Sequence, residues 1–359
     1  MTKPKSEIRV VVGMSGGVDS SVAAYLLKQQ GYDVIGLFMK NWEEKEGGCC
    51  TAAEDYNDVR RVCEVIGIPY YSVNFAREYM DNVFKEFLIG LQKGFTPNPD
   101  ILCNREIKFG PFADKAKQLG ADFIATGHYA GIKHTNGRHV LCRATDDTKD
   151  QSYFLCALSQ KQLASVMFPL TDIKKSEVRT IAKKLGLITA TKKDSTGICF
   201  IGERKIKEFL KTYLGNKSGE IRTLNDAVVG KHDGLMYYTI GQRRGMSIGG
   251  KDGKADTARW FVVRKDLGEN VLYVNNGDCK ELYSTELIIT DFNVIADFDK
   301  QIKCTAKVRY RQPDQKCTAT KIGDGKVRVV FDEPQRAVTT GQWCVLYDGD
   351  AVLGGGIIT

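Results

Sequence analysis

The sequence predicts an α/β chain: a doubly wound parallel sheet, then a small mixed β domain, then a C-terminal β-barrel. Three observations carry this expectation. Apolar runs of strand length alternate with segments of helical periodicity over roughly the first two hundred residues, as in sheets built from parallel crossovers. The first such run is joined to its helix by a glycine- and hydroxyl-rich turn, Gly13-Met14-Ser15-Gly16-Gly17-Val18-Asp19-Ser20-Ser21. Beyond about Gly219 the pattern changes to short alternating segments separated by glycine, which reads as antiparallel β structure. The expected domains are 1–205, 206–283 and 284–359.

Ile8 to Val12 is β-branched apart from Arg9 and reads as a strand buried on both faces. Val22, Ala23, Leu26 and Leu27 then repeat at helical spacing, and Gly31 supplies a stop. Asp33 to Met39 is a second strand, 41–50 a polar loop, and Thr51-Ala-Ala-Glu54 a capping box opening a helix to about Ile66. Pro69 to Phe75 is a third strand, followed by an amphipathic helix from Glu78 to Leu91 that Gly94 ends. The stretch 96–109, with two prolines and polar groups around Cys103, reads as an extended loop and poor core material. A strand at Ala121 to Ala125 leads into Thr126-Gly127-His128-Tyr129, and a hairpin is expected around Asn136-Gly137. Helical segments are expected from Lys149 and from Lys175 to Leu185, and a basic helix from Arg204 to Leu214. Alternating segments follow at 260–265, 271–274, 285–290, 302–309, 316–321, 326–331, 336–339 and 343–347.

Composition excludes several classes. The 359 residues are 42% hydrophobic, enough for two or three domains with real cores and not the profile of a disordered chain. The first residues lack an apolar signal core, and no run approaches the length of a membrane span, so a soluble cytoplasmic protein without membrane association is expected. Eleven irregularly spaced cysteines in a chain this long do not form a secreted disulfide framework and read mainly as reduced thiols. Cys49, Cys50 and Cys63 match no trusted zinc spacing. A net charge of +8 is compatible with a polyanionic partner or with solvated lysines.

The turn after the first strand is suited to anions. Glycines let the backbone approach a ligand, hydroxyls at 15, 20 and 21 add donors, and the helix start presents free amides. It fits neither the Walker pattern nor the dinucleotide fingerprint. Ser-Gly-Gly-x-Asp-Ser instead resembles the pyrophosphate loop of the N-type ATP pyrophosphatases, whose fold is adenine nucleotide α-hydrolase-like and which activate a substrate as its adenylate. That resemblance implies ATP as cosubstrate, held by Gly13, Met14, Ser15, Gly16, Gly17, Val18, Asp19 and Ser20, with Asp19 helping to place magnesium. It also implies contacts from Met39 at the end of the second strand and from Gly127. His128 is either a structural histidine or a polar group near phosphate.

Further motifs sharpen the resemblance. Asn98-Pro99-Asp100-x-x-Cys103-Asn104, Thr126 to Tyr129, Lys149-Asp150-Gln151-Ser152-Tyr153, Gly197-Ile198-Cys199-Phe200, Tyr238 to Gly245, Lys307 to Arg311 and Gly341-Gln342 occur in this order. In that order they resemble the bacterial tRNA-specific 2-thiouridylase family, over nearly the whole chain. The resemblance implies ATP-dependent 2-thiolation of the wobble uridine of tRNA, with Cys199 as persulfide carrier and Cys103 as the nucleophile that frees the sulfur and pairs with Cys199. It further implies Asn98, Pro99 and Asp100 at the target base, and Lys149, Asp150, Gln151, Arg309 and Tyr310 at the tRNA. A persulfide-donating protein, a cysteine desulfurase or sulfur relay protein, would be a partner. Physical chemistry fits: adenylation makes the 2-oxygen a leaving group, a persulfide supplies a transferable sulfur, and a thiol is a useful nucleophile only when ionised. Asp100 is the candidate acid/base or base-orienting group, although an Asp after proline also simply forms turns. Arg309-Tyr310 joins charge to an aromatic ring, as RNA contacts often do.

Two alternatives stay open at this level. One is another pyrophosphatase-type enzyme, either an amidotransferase-coupled synthetase or a different RNA thiolase, possibly with an iron–sulfur cluster on Cys103 and Cys199. The other is a non-catalytic RNA-binding or iron–sulfur module, with Asp100 as a further ligand.

Overall fold

The computed structural model describes residues 3–43, 51–194, 206–246, 248 and 259–359. Arg9–Met14 (β1) runs down the middle of a parallel sheet. Its neighbours are Asp33–Lys40 (β2) and then Tyr70–Asn74 (β3) on one side. Phe123–Ala125 (β4) lies on the other side. The order is β3-β2-β1-β4, extended beyond β4 by the later two-residue strand Val166–Met167, and every pairing is parallel. The chain builds outward from β1 in one direction and then crosses to the other, so the carboxyl end of β1 is the switch point at which such sheets bind ligands. Val10, Val11 and Val12 are fully buried, each worth about 1.5–3 kcal/mol by transfer from water, and they pin this strand at the centre. Val18–Gln29 (α1) follows directly, and Thr51–Ile66 (α2) begins where the capping box predicts.

The sequence reading fails between Thr96 and Phe109. Instead of a loop, Pro99–Cys103 is α-helical and continues through a π-type turn over Asn104–Lys108. The signal was present. Asn98 is the N-cap, its Oδ1 accepting from the Asp100 and Ile101 amides at 3.1 and 3.3 Å, and Pro99 sits at the first helical position. Ile101, Cys103 and Ile107 face the core, so the segment is core material after all. A helix over Pro111–Gln118 also went unforeseen.

The expected hairpin forms as Gly131–Thr135 (β5) and Arg138–Cys142 (β6). It does not join the parallel sheet. Val166–Met167 is β7, and Gly219–Thr223 (β8), Val228–His232 (β9), Trp260–Asp266 (β10) and Val271–Asn276 (β11) make a separate sheet ordered β10-β11-β8-β9. The C-terminal strands are Tyr283–Val294 (β12), Gln301–Lys307 (β13), Gln315–Gly323 (β14), Lys326–Arg336 (β15), Trp343–Asp348 (β16) and Ala351–Ile358 (β17). They pair in the order β12-β15-β14-β13-β16-β17, and β17 returns to β12, closing a six-stranded barrel. β6 pairs with β17, so the hairpin is an outgrowth of the barrel wall.

β17 was not foreseen, because Gly354-Gly355-Gly356 reads as loop. A side chain there would collide: a Cβ on Gly355 would lie 2.7 Å from the Cys156 sulfur. Glycine here lets the barrel press against the nucleotide-type unit. One core accordingly crosses between them, with Tyr153, Leu155 and Cys156 in the same cluster as Trp343, Val345 and Tyr347.

Candidate active site

The loop after β1 holds its own shape. Gly16 takes φ +73°, and Ser20 Oγ accepts from the Ser15 amide at 3.2 Å while donating to the Gly17 carbonyl at 3.1 Å. Ser21 Oγ donates to the same carbonyl at 2.8 Å. Those two hydroxyls are therefore structural, and Ser15 is the exposed one. Gly17 caps α1 without any side-chain bond, which leaves the first amides of the helix to a ligand. Gly127 packs against this turn: a Cβ on it would lie 2.6 Å from the Ser20 nitrogen and 2.7 Å from the Asp19 carbonyl carbon. Its lack of a side chain serves the fit of β4's end to the loop.

Asp19 stands at the centre of a charged network. Lys175 Nζ donates to Asp19 Oδ1 and Oδ2 at 2.7 and 2.6 Å, and Tyr129 Oη donates to Oδ1 at 2.8 Å. Lys175 also pairs with Asp194 at 2.8 Å, and Asp194 with Lys149 at 2.8 Å and Arg179 at 2.7 Å. Burial works against the Asp194 charge, but hydrogen bonds and charge from Lys149 and Lys175 bring its pKa down to about 2. Lys175 and Asp194 were not singled out from sequence. The available signal was a lysine in the first turn of the helix Lys175–Lys184, where the helix dipole disfavours a cation unless carboxylates hold it. Asp19 Oδ1 accepts from both Lys175 and Tyr129 while Oδ2 accepts from Lys175 alone, and among the described residues no group of three His, Cys, Asp or Glu converges as a metal site. The loop fits nucleotide phosphate: uncapped amides, a glycine at positive φ, and a lysine poised beside them. A cavity of about 1010 Å³ reaches Lys175 and is also lined by Lys133, Arg143, Asp146 and Lys174.

The Asn98–Cys103 segment forms the second half of the site. Asp100 is largely withdrawn from water, which raises its pKa, with Lys108 pulling the other way. Lys108 also approaches His128 Nε2 at 3.5 Å, while His128 Nδ1 bonds Thr126 Oγ1 at 2.7 Å. Burial and the Lys108 charge drive the His128 pKa well down, so this histidine is a neutral link between Lys108 and Thr126. Cys103 is 1% exposed. Asn104 Nδ2 donates to the Phe154 carbonyl at 2.9 Å, and its buried Oδ1 has no partner among the described residues. Cys199, Cys49 and Cys50 lie outside the described residues.

Other expected contacts are placed as follows. Met39 is half-buried against the core at the end of β2. Lys149 is the ion-pair partner of Asp194. Gln151 is stitched to Tyr129, accepting its amide at 3.0 Å and donating its own to its carbonyl at 2.7 Å. Asp150 is turned inward at 6% exposure and accepts from Ala144 N, Ser152 N and Ser152 Oγ. Tyr310 packs on Phe154 with centroids 4.3 Å apart and is half-buried. Arg309 is exposed over part of its length, yet Nη2 is held by the carbonyls of Ile240 and Ala337 at 3.0 and 2.9 Å. It thereby ties the middle domain to the barrel.

A junction lies just ahead of Asn98. The Thr96 amide donates to the Thr340 carbonyl at 3.0 Å, Gln342 Nε2 donates to the Thr96 carbonyl at 2.6 Å, and Thr96 Oγ1 meets Thr239 Oγ1 at 3.4 Å. Gly341, at φ +87°, lies so close to Phe95 that a Cβ would come within 2.6 Å of the Phe95 Cβ. Two distant segments, 238–245 and 340–342, thus converge on the approach to the Pro99–Cys103 helix.

A parallel sheet with an uncapped glycine–hydroxyl turn at its switch point defines a nucleotide-binding unit of the adenine nucleotide α-hydrolase class, here joined to a closed six-stranded barrel. Residues 8–203 match the family described as tRNA methyl transferase HUP domain, 207–276 the tRNA methyl transferase PRC-barrel domain, and 284–358 the aminomethyltransferase beta-barrel domain. Over its full length the chain is 60% identical to the tRNA-specific 2-thiouridylase MnmA of Listeria monocytogenes serotype 4b, covering 96% of that protein. It is 58% identical to the protein of that name from Staphylococcus carnosus, over 98% of this chain and 95% of that one. The chain belongs to the tRNA-specific 2-thiouridylase family. Among solved structures, the U34-tRNA thiolase NcsA of Methanococcus maripaludis aligns at 23% identity over 58% of this chain and 67% of its own, with a TM-score of 0.37, too loose to bear on the site.

Proposed function

We propose that this protein replaces the 2-oxygen of the wobble uridine of tRNA with sulfur, using ATP to activate the oxygen. The single observation that carries the reading is the pairing of a phosphate-binding turn at the switch point with a capped helix that carries Asp100 and the core-facing Cys103 in the same unit. In this reading the amides of the loop and Lys175 hold the phosphates of ATP, and Lys175 exchanges its bonds to Asp19 for bonds to phosphate oxygens. Magnesium would come with those phosphates and take a carboxylate oxygen of Asp19 once Lys175 has moved. Met39 lies against the adenine.

Asn98, Pro99 and Asp100 receive the target base. A carboxyl with a raised pKa is a stronger base than an ordinary aspartate, and Asp100 takes the N3 proton as the 2-oxygen attacks the α-phosphorus and pyrophosphate leaves. A persulfide on Cys199 then delivers its terminal sulfur to C2. The Cys103 thiolate attacks the inner sulfur, forming a Cys103–Cys199 disulfide, and AMP departs from C2 with the former uridine oxygen. An external dithiol, itself oxidised to a disulfide, returns both cysteines to thiols before the next turnover. A persulfide-carrying protein supplies the sulfur, Lys149 and Arg309 meet tRNA phosphates, and the enzyme works in the cytoplasm. Among the described residues no helix is long and apolar enough to cross a membrane.

The test is nucleoside mass spectrometry of tRNA after incubation with ATP and a persulfide source, with the nucleotide products resolved. 2-Thiouridine accompanied by AMP and pyrophosphate is expected. Unmodified tRNA, or ADP as the main nucleotide product, overturns the reading.

A further inference from the structure

The barrel contains a thiol pair for which the thiolation chemistry has no use. Cys304 on β13 and Cys317 on β14 are direct register partners, and their sulfur atoms lie 3.7 Å apart. Opposed residues of antiparallel strands have Cα atoms about 4.5–5.5 Å apart, inside the span of about 4.4–6.8 Å that a disulfide bridges. The strand register therefore brings the backbones to bridging distance, and only the sulfurs have to close.

Both side chains belong to the barrel interior, but they sit at an open end of it. Cys317 is 3% exposed and Cys304 half-buried, and a recess of about 330 Å³ reaches them between Lys303, Lys316, Asp332 and Tyr347. A small oxidant can enter. Either thiol can donate across this gap, and Cys304, half-buried at the recess where Cys317 is 3% exposed, is the sulfur an oxidant meets first. The two residues thus divide the tasks of attacking and resolving thiol. The other described cysteines lack this arrangement: Cys156 and Cys344 are fully buried, where desolvation raises their pKa, and Cys279 stands alone.

We propose that Cys304 and Cys317 form a reversible oxidation site on the barrel, taking a small hydroperoxide as oxidant. The Cys304 thiolate attacks a peroxide oxygen, breaking the O–O bond to give a sulfenic acid and hydroxide. The Cys317 thiol then displaces the sulfenic oxygen, forming the disulfide, with water as the other product. The two thiols together lose two electrons and two protons, and hydrogen peroxide becomes two waters.

The full-length protein, reduced and desalted, is treated with hydrogen peroxide, alkylated, digested and analysed by mass spectrometry. The expected product is a Cys304–Cys317 peptide pair lighter by two hydrogens and returned to free thiols by dithiothreitol. Before oxidation, Cys304 should be alkylated at least about tenfold faster than Cys156 or Cys344. Cys304→Ser should lose the linked pair entirely while keeping its ATP-dependent thiolation, and Cys317→Ala should leave a sulfenic acid at Cys304 that dimedone traps. Full alkylation of both residues after peroxide, arrest of the unsubstituted chain at a Cys304 sulfenic or sulfinic acid, or linkage of Cys304 to another cysteine would each overturn the proposal.

Discussion

The phosphate loop and the Asp100–Cys103 helix lie in the same unit but are built in opposite ways. The loop is held by bonds among residues 15 to 21 and by partners within its own unit, with Gly127 packed on it, Thr189 bonded to Ser21, and Lys175 and Tyr129 bonded to Asp19. The helix is capped locally by Asn98 but braced from Thr239, Thr340 and Gln342, two of them in the barrel, and from the Phe154 carbonyl. A loop whose partners all lie in its own unit tolerates changes in the other domains. A helix whose approach is fixed by other domains transmits them, so distant substitutions should alter sulfur transfer before they alter nucleotide handling.

The largest effect should come from Cys103→Ser, which is expected to reduce thiolation to background while leaving the protein able to accept labelled sulfur from a persulfide donor. Cys199→Ser should block that labelling as well. Protein-bound radiolabel and thiolated tRNA, counted separately, distinguish the two, and normal turnover by Cys103→Ser would refute its role.

Asp100→Asn comes next, with a loss of about 10²–10⁴-fold typical of a proton-transfer group. Its pH dependence carries the sign. A carboxyl with a raised pKa is protonated at low pH, so a base at this position makes the rate climb with pH along a limb displaced above the ordinary aspartate range. The asparagine variant should lack that limb. A limb that persists in the variant belongs to another group.

Lys175→Ala strikes the loop side. It leaves Asp19 and Asp194 facing each other without their shared cation, and removing one partner of a largely buried pair costs about 3–5 kcal/mol at most, less here because both carboxylates are about one-third exposed. Pyrophosphate release should fall about 10²–10³-fold, as for a lost electrostatic donor, with tRNA affinity unchanged. The depressed Asp194 pKa stabilises the fold above the ordinary aspartate range, and that contribution fades as pH falls toward about 2. Acid unfolding of the variant, followed by circular dichroism, should therefore begin at higher pH than in the parent.

What the sequence revealed follows the same division. The parallel sheet, the loop, α1, α2 and the hairpin are written in contiguous residues whose periodicity and turn chemistry point the same way. The Asn98 helix hides behind prolines and polar residues that read as loop signals, whereas Asn98-Pro99 is a cap followed by a first-turn proline. β17 was hidden by glycines whose reason is the close approach of another domain. Lys175 could not be paired with Asp19 and Asp194 from sequence, since Asp19 is remote and only folding brings the three charges together. Arg309-Tyr310 reads as an RNA contact from charge beside an aromatic ring, and the sequence does not display the protein partners of either side chain. The bonds from Arg309 to Ile240 and Ala337, and the stacking of Tyr310 on Phe154, exist only in three dimensions.

Arg309 gives the smallest effect and the finest test, because an exposed guanidinium can clamp two domains and also meet a phosphate. Each neutralised phosphate contributes about 0.7–0.9 to the slope of log affinity against log salt. Arg309→Lys keeps the charge but loses the fork that reaches two carbonyls, whereas Arg309→Ala loses both. If Arg309 neutralises a phosphate, the alanine variant should lower the slope by about one contact while the lysine variant preserves it. The clamp should show instead in stability, with both variants losing roughly 1 kcal/mol as hydrogen bonds to carbonyls are removed, and in ATP affinity that neither variant changes. Binding of tRNA at several salt concentrations, with thermal denaturation of the same samples, separates these contributions. A slope identical in all three proteins would leave Arg309 only its structural task, and tRNA recognition would then rest on other basic groups, Lys133 and Lys174 beside the Lys175 cavity among them.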